Sequence, residues 1–419
     1  MDKRTYRACE ECGLVSEVVE LAPGTTVSCP RCHHHFSSLH ASPIQAAVAF
    51  NLACLMFLIM SLVFPFMSFS LEGLKQEITL IDSVEMLAGF HNVALAILLF
   101  LSILMLPACF LLASLFLHLS ILKPKPSDAE QVQLQRLQIA ALKFISLIKP
   151  WLMVDVFLIG VLISLIKIAS LAHVSMGISF WAFVVYTLLF VKSLTTLNSY
   201  WLWNLIQPVD LTKVTSSGEH AQDKHIVSCK ECGLVEHSSM NQQRCRRCGS
   251  KFMSYLPEKS LQICWALLIA SAVFYLPANL YPIMYTAMFG ESEGSTIIGG
   301  VILLWNMGSY PISMVIFFAS IMIPIAKMLA LGFLFYQAGK AHPEQREKSA
   351  SHLKLYRITE FIGRWSMIDV FVVAILVALV QLDGLMAIYP GPAALSFAAV
   401  VIFTMLAAMS FDSRALWRK

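Results

Sequence analysis

Eight apolar runs, at about 45–66, 91–120, 151–171, 179–201, 260–283, 309–336, 365–383 and 392–411, decide what this chain can fold into. Each is near or above the roughly 20 residues that cross a bilayer as a helix. Of the 419 residues 58% are hydrophobic and 13% charged, where a soluble domain carries about 25% charged residues. The expected class is an all-α polytopic membrane protein. Residues 1–43 are polar and rich in Cys and His, without the apolar core of a cleavable signal peptide.

The runs form an internal repeat. Lys149-Pro-Trp-Leu-Met-Val-Asp155 opens one apolar run and Arg364-Trp-Ser-Met-Ile-Asp369 opens another, with Trp, Asp and the following Val-Phe in register at an offset of 214 residues. Cys9-Glu-Glu-Cys-Gly-Leu-Val15 matches Cys229-Lys-Glu-Cys-Gly-Leu-Val235, and Asn198-Ser199 with Trp203 matches Asp412-Ser413 with Trp417. Ser102 to Pro107 matches Ser320 to Pro324 with a one-residue slip. The expected organisation is a small polar module at 1–43, a four-helix unit at 44–203, a second polar module at 204–258 and a second four-helix unit at 259–419. An even helix count returns the chain to its starting side, so the units are parallel repeats. Pro107 and Pro324 lie inside the long second run of each unit and should kink it.

Orientation follows from Lys and Arg. The two termini, the second polar module and the loops at 123–150 and 339–364 hold 26 of them, the opposite loops only Lys75. Both termini and both Cys modules are therefore expected in the cytoplasm. Residues 127–149 and 344–362 read as cytoplasmic connector helices.

Eight of the eleven cysteines form four Cys-x2-Cys pairs. Cys9/Cys12 and Cys29/Cys32 are separated by 16 residues, Cys229/Cys232 and Cys245/Cys248 by 12. Two such knuckles bring four thiolates to the corners of a tetrahedron, the arrangement of a structural zinc site. Glycine after Cys12, Cys232 and Cys248 permits the tight turn beneath a metal. Two closed, structural zinc ribbons are expected. Thiol–disulfide chemistry is the competing reading, weakened by the cytoplasmic placement. His33, His34 and His35 are expected to be solvated, and Cys54, Cys109 and Cys264 to be packing residues.

Ionisable groups at membrane depth are costly and commonly functional. Asp155 and Asp369 fall about one turn into their helices, where they also suit an N-terminal cap or an ion pair with Lys149 or Arg364. Lys167 is placed near the far interface, where it can snorkel. Lys327 follows Pro324 and shares a helix face with Ser320, and is the preferred partner for an aspartate. Lys192 and Thr404 are weaker members, and Asn279 can satisfy backbone freed by Pro277 and Pro282. No P-loop, His-Glu-x-x-His helix or nucleophile elbow is present. No enzyme and no nucleic-acid partner is expected.

Leu276-Pro-Ala-Asn-Leu-Tyr-Pro-Ile-Met284, Gly300-Val-Ile-Leu-Leu-Trp305, Gly308-Ser-Tyr-Pro311, Ala319-Ser-Ile-Met-Ile-Pro324, Gly363-Arg-Trp-Ser-Met-Ile-Asp369 and Asp412-Ser-Arg-Ala-Leu-Trp417, with the Cys pairs, resemble the paraquat-inducible protein A family over nearly the whole chain. Phe64-Pro-Phe66 and Glu77-Ile-Thr-Leu80 are similar to its PqiA branch rather than its LetA branch. The resemblance implies a multi-pass protein of the bacterial inner membrane. It implies a periplasmic MCE-domain partner, PqiB- or LetB-like, that forms a hydrophobic tunnel. The implied function is to pass phospholipid to or from that tunnel and so support envelope integrity. Also implied are cytoplasmic zinc ribbons, tetraspanin-like units and a polar transport network at Asp155, Lys167, Ser320, Lys327 and Asp369. Three other readings stand beside it: a proton-coupled transporter of a small solute, a membrane thiol oxidoreductase, and a passive anchor for the tunnel.

Overall fold

The structure, a computed structural model, describes residues 5–18, 25–38, 42–71, 74–89, 93–122, 128–169, 173–209, 226–237, 244–251, 257–288, 291–306, 308, 310–340, 346–379, 381–382 and 386–417. Two short hairpins open the chain, β1 (Thr5–Ala8) with β2 (Val15–Val18) and β3 (Thr26–Ser28) with β4 (His35–Ser38). Helix α1 (Pro43–Val63) leads to the hairpin β5 (Met67–Leu71) and β6 (Leu74–Ile78). There follow α2 (Leu80–Gly89), α3 (Val93–Phe100), α4 (Leu106–Leu122), α5 (Asp128–Ile148), α6 (Val154–Ala169), strand β7 (His173–Met176), α7 (Ile178–Thr196) and α8 (Ser199–Ile206).

The second half repeats the order. Strands β8 (Ile226–Ser228) and β9 (Val235–His237) precede α9 (Pro257–Leu280), β10 (Met284–Met288), β11 (Glu291–Ser295), α10 (Ile297–Asn306), α11 (Tyr310–Phe317) and α12 (Ile323–Gly339). The connector α13 (Arg346–Trp365), α14 (Ile368–Leu379), strands β12 (Gln381–Leu382) and β13 (Met386–Pro390), α15 (Pro392–Ser410) and a 3-10 turn at Ser413–Trp417 complete it.

Seven helices among the described residues are long and apolar enough to cross a membrane, one of them running from the first connector into α6. The chain is thus a multi-pass membrane protein. The remaining apolar run is α14, with 12 residues. All eight residues from Val370 to Val377 are buried. A helix apolar on every face belongs in the middle of a protein, and α14 packs on α2 and α3 of the first half as well as on α6 and α15. Its counterpart α6 keeps Leu162 and Ile166 exposed. At the contact between them Phe157 and Phe371 meet edge to face at 5.7 Å, and a Cβ on Gly160 would lie 3.2 Å from that of Phe371.

The loops between helices carry more order than the sequence indicates. In the first half β6, β5 and β7 form an antiparallel sheet, and in the second β11, β10, β13 and β12 do so. Each sheet closes its unit at the end remote from the cysteine hairpins. At that end a Cβ on Gly177 would collide with the carbonyl of Pro65, and one on Gly391 with that of Pro282. Glycine is what lets α7 and α15 begin against the ends of α1 and α9.

The prolines do not simply kink their helices. A π-helical turn at Leu101–Met105 precedes Pro107, and one at Phe318–Met322 precedes Pro324. The N–H of Leu106 donates to the carbonyl of Leu101, and that of Ile323 to that of Phe318. The wider turn makes room for a ring that would otherwise strike the carbonyl four residues back.

Candidate metal centres and membrane polar site

Each cysteine pair sits in the same knuckle. The N–H of Cys9 donates to Leu14 O at 2.9 Å and that of Gly13 to Cys9 O at 2.9 Å. Cys29/His33, Cys229/Gly233 and Cys245/Gly249 repeat the pattern at 2.8–2.9 Å. The turn needs a positive φ after the second cysteine of each pair: Gly13 has 71°, Gly233 69°, Gly249 69° and His33 55°. His33 therefore fills a backbone position that glycine fills in the other three knuckles.

The four Sγ atoms of Cys9, Cys12, Cys29 and Cys32 lie within 4.8 Å of one another, as do those of Cys229, Cys232, Cys245 and Cys248. The contacts Cys9–Cys32 and Cys12–Cys29 are 3.5 and 3.6 Å, and Cys229–Cys248 and Cys232–Cys245 are both 3.5 Å. A tetrahedral ion with bonds of about 2.3 Å to sulfur requires edges of about 3.8 Å. All eight cysteines are buried. The donor sets fit a thiophilic metal with four ligands and leave no position for substrate.

His34 is not solvated as expected. Its Nδ1 lies 3.1 Å from Glu11 Oε1. Arg357 Nε, from α13, reaches Glu11 Oε1 at 3.1 Å and Oε2 at 3.0 Å. Burial pushes the Glu11 carboxyl up, but hydrogen bonds from His34 and Arg357 outweigh it and hold the group lowered to about 2.

Between the ribbons and the sheets lies the membrane site. Asp155 and Asp369 take the second position of α6 and α14, half-buried, where aligned peptide dipoles favour a carboxylate. Lys327 is 3% exposed, and the expected aspartate does not hydrogen-bond it: its ammonium has no hydrogen-bond partner among the described residues. It rests against α13, where a Cβ on Gly363 would lie 3.3 Å from Nζ. Ser320 is buried inside the π-helical turn, two turns before Lys327. The side chain of Lys167 lies outside the described residues.

The repeat shows what replaces these groups in the first half. Pro107 and Pro324 are equivalent, so Ile103 stands for Ser320 and Phe110 for Lys327. Gly177 and Gly391 are equivalent, so Phe190 stands for Thr404. Phe110 and Phe190 stack edge to face at 5.7 Å. A dry aromatic contact thus occupies the place of the polar groups of the second half.

The first half has a different polar cluster, which sequence reasoning missed. Asn51 Nδ2 donates to Ser114 Oγ at 2.8 Å, Ser193 Oγ donates to Asn51 Oδ1 at 2.6 Å, and His118 Nδ1 lies 2.7 Å from Ser114 O. All four are buried. Single neutral polar residues on three separate helices leave no signal in the sequence, although Leu268, Leu331, Phe335 and Ala407 stand at the equivalent positions. A narrow apolar pocket at the junction of the halves is lined by Leu99 and Ile103, Phe157 and Val161, and Ala374 and Ile375.

A repeated four-helix membrane unit, each copy with a four-cysteine ribbon, defines the class. The sequence profile of the family described as paraquat-inducible protein A matches residues 44–207 and 261–419, one match per unit. The chain belongs to that family. It is 37% identical to the intermembrane transport protein PqiA of Escherichia coli K12 over 98% of this chain and 94% of that one. It is 29% identical to a probable intermembrane transport protein of Haemophilus influenzae over 98% and 95% of the two chains. Against the lipophilic envelope-spanning tunnel protein A of E. coli K12 the identity is 26% over 98% and 91%. No solved structure matches the chain.

Proposed function

We propose that this protein is the inner-membrane component of an intermembrane lipid transport system. It passes phospholipid to or from a periplasmic MCE-domain tunnel protein, with both termini and both ribbons in the cytoplasm. The names of its relatives support intermembrane transport. The excess of Lys and Arg on the ribbon side supports the orientation. The sheet end of each unit then faces the partner. Zinc is the metal the four-cysteine sets suit best, and its role is structural: the ligands hold the ribbon turns, and no step of transport runs through the ion.

The observation that carries the reading is Lys327. An ammonium buried without a hydrogen-bond partner costs stability, and the first half accepts Phe110 at that place in the fold. The second half keeps the costly group because it acts: with Ser320, Thr404 and Asp369 it holds a phosphate headgroup or exchanges a proton during transfer. No catalytic role is proposed. The test is transfer of labelled phospholipid between membranes by the full system. Lys327→Met and Asp369→Asn are expected to lower it by about tenfold or more, the loss of one charge-assisted contact, with the protein still folded and metal-loaded. Wild-type transfer in both variants would remove this cluster from the mechanism.

A further inference from the structure

Each ribbon grips the connector helix of the opposite half. Glu11 lies between the ligands Cys9 and Cys12, and Glu231 between Cys229 and Cys232, at the same place in the knuckle. Glu11 of the first ribbon binds Arg357 on α13 of the second half. Glu231 of the second ribbon accepts from Ser146 Oγ on α5 of the first half at 2.7 Å. The first grip is the stronger by construction. Arg357 also donates from its second nitrogen to the backbone carbonyl of Cys32 at 2.9 Å, so one guanidinium spans both knuckles of one metal centre. Ser413 Oγ donates to Glu11 O at 3.1 Å, and Arg31 lies over the Trp417 ring at 5.5 Å. Val18, Phe36 and the four cysteines of this ribbon share an apolar cluster with Leu353 and Tyr356 of α13.

The same helix touches the membrane site. Gly363, against which Lys327 Nζ rests, follows Arg357 by six residues, roughly 9 Å along the helix. We propose that Arg357 is a positioning residue. Held by the N-terminal four-cysteine centre, it fixes α13, and α13 fixes Lys327. The state of the first metal centre is therefore felt in the second half of the membrane domain. The second centre meets α5 through the neutral Ser146 contact and shares an apolar cluster with Leu142 and Ile145, and its loss is felt at α5. This inference stands apart from the transport reading, because its readouts are local stability and lysine reactivity.

The experiment uses the full chain in lipid nanodiscs. Three quantities are measured: metal content, hydrogen exchange of 349–365 and 130–148, and labelling of Lys327 by a membrane-permeant amine reagent. Arg357→Ala is expected to keep its metal, to exchange about tenfold faster in 349–365, and to label several times faster at Lys327. Arg357→Lys restores part of both. Cys9→Ser gives the same two changes, and adding Arg357→Ala to it gives no more, because both cut one link. Cys229→Ser acts on 130–148 instead. Wild-type labelling of Lys327 in Arg357→Ala would overturn the proposal. So would equal loosening of both connectors in Cys9→Ser, or additive effects in the double variant. If Cys9→Ser does not fold, Arg357→Ala and Arg357→Lys decide alone.

Discussion

The two halves share a backbone plan and differ in where they keep polar groups. The first half closes its helix bundle with the Phe110–Phe190 contact and ties its helices with a neutral cluster at Asn51, Ser114 and Ser193. The second half has Leu268, Leu331 and Ala407 at that cluster and Lys327 and Thr404 at the aromatic site. Both solutions fold. A satisfied neutral cluster fixes packing, whereas an ammonium without a hydrogen-bond partner lowers stability and persists where it is used. Helix packing points the same way: α2 and α3 of the first half cover α14, while α10 and α11 pack chiefly on each other and leave Ile302, Leu303, Met314 and Phe317 exposed. On the proposed reading the first half is the scaffold and the second the working half.

The largest effects are expected when residues are exchanged between equivalent positions of the two halves. Phe110→Lys buries an uncompensated charge in the scaffold and is expected to cost about 3 kcal/mol or more, read as a fall in detergent melting temperature. The reciprocal Lys327→Met removes an unsatisfied buried donor and is expected to raise stability by about 1–2 kcal/mol, while transport falls. Equal destabilisation by both would show that Lys327 is a packing device. A smaller effect tests the neutral cluster. Asn51→Leu leaves Ser114 and Ser193 without their partner and is expected to cost about 1–3 kcal/mol. Carrying all three positions to Leu, Leu and Ala as in the second half recovers most of that, and phospholipid transfer per folded molecule is unchanged throughout. The smallest change is expected in the N-terminal ribbon. His33→Gly relieves the left-handed backbone of the fourth knuckle and is expected to stabilise the N-terminal ribbon by about 1 kcal/mol, measured as slower metal loss to a chelator. Slower loss from the second ribbon instead would contradict the assignment.

Much of this was legible in the sequence. Membrane-length runs, the 214-residue offset and the Cys-x2-Cys spacings are long or periodic signals, and they place the helices, the repeat and all eight cysteines of the two four-cysteine clusters. What was illegible depends on distant parts of the chain. Glu291-Ser-Glu-Gly-Ser295 reads as a polar loop, but pairing with Met284–Met288, itself paired with Met386–Pro390, makes it an edge strand. The run Val370–Val377 announces an apolar helix without saying whether lipid or protein surrounds it, and protein does. The prolines announced irregular helices but not the π-helical form. Glu11 lies beside a cysteine in the sequence, and its partner Arg357 stands 346 residues away.

On the proposed reading lipid passes through the second half, around Lys327. The direct measurement is site-specific photocrosslinking to labelled phospholipid in cells, with probes beside Lys327 and Asp369, at the equivalent Phe110 and Asp155, and on exposed Leu329 as a bilayer control. If so, strong lipid crosslinks appear beside Lys327 and Asp369 and weak ones at Phe110, and the strong set is lost when Lys327 is changed to Met. Crosslinks confined to Leu329, or equal in the two halves, would contradict it.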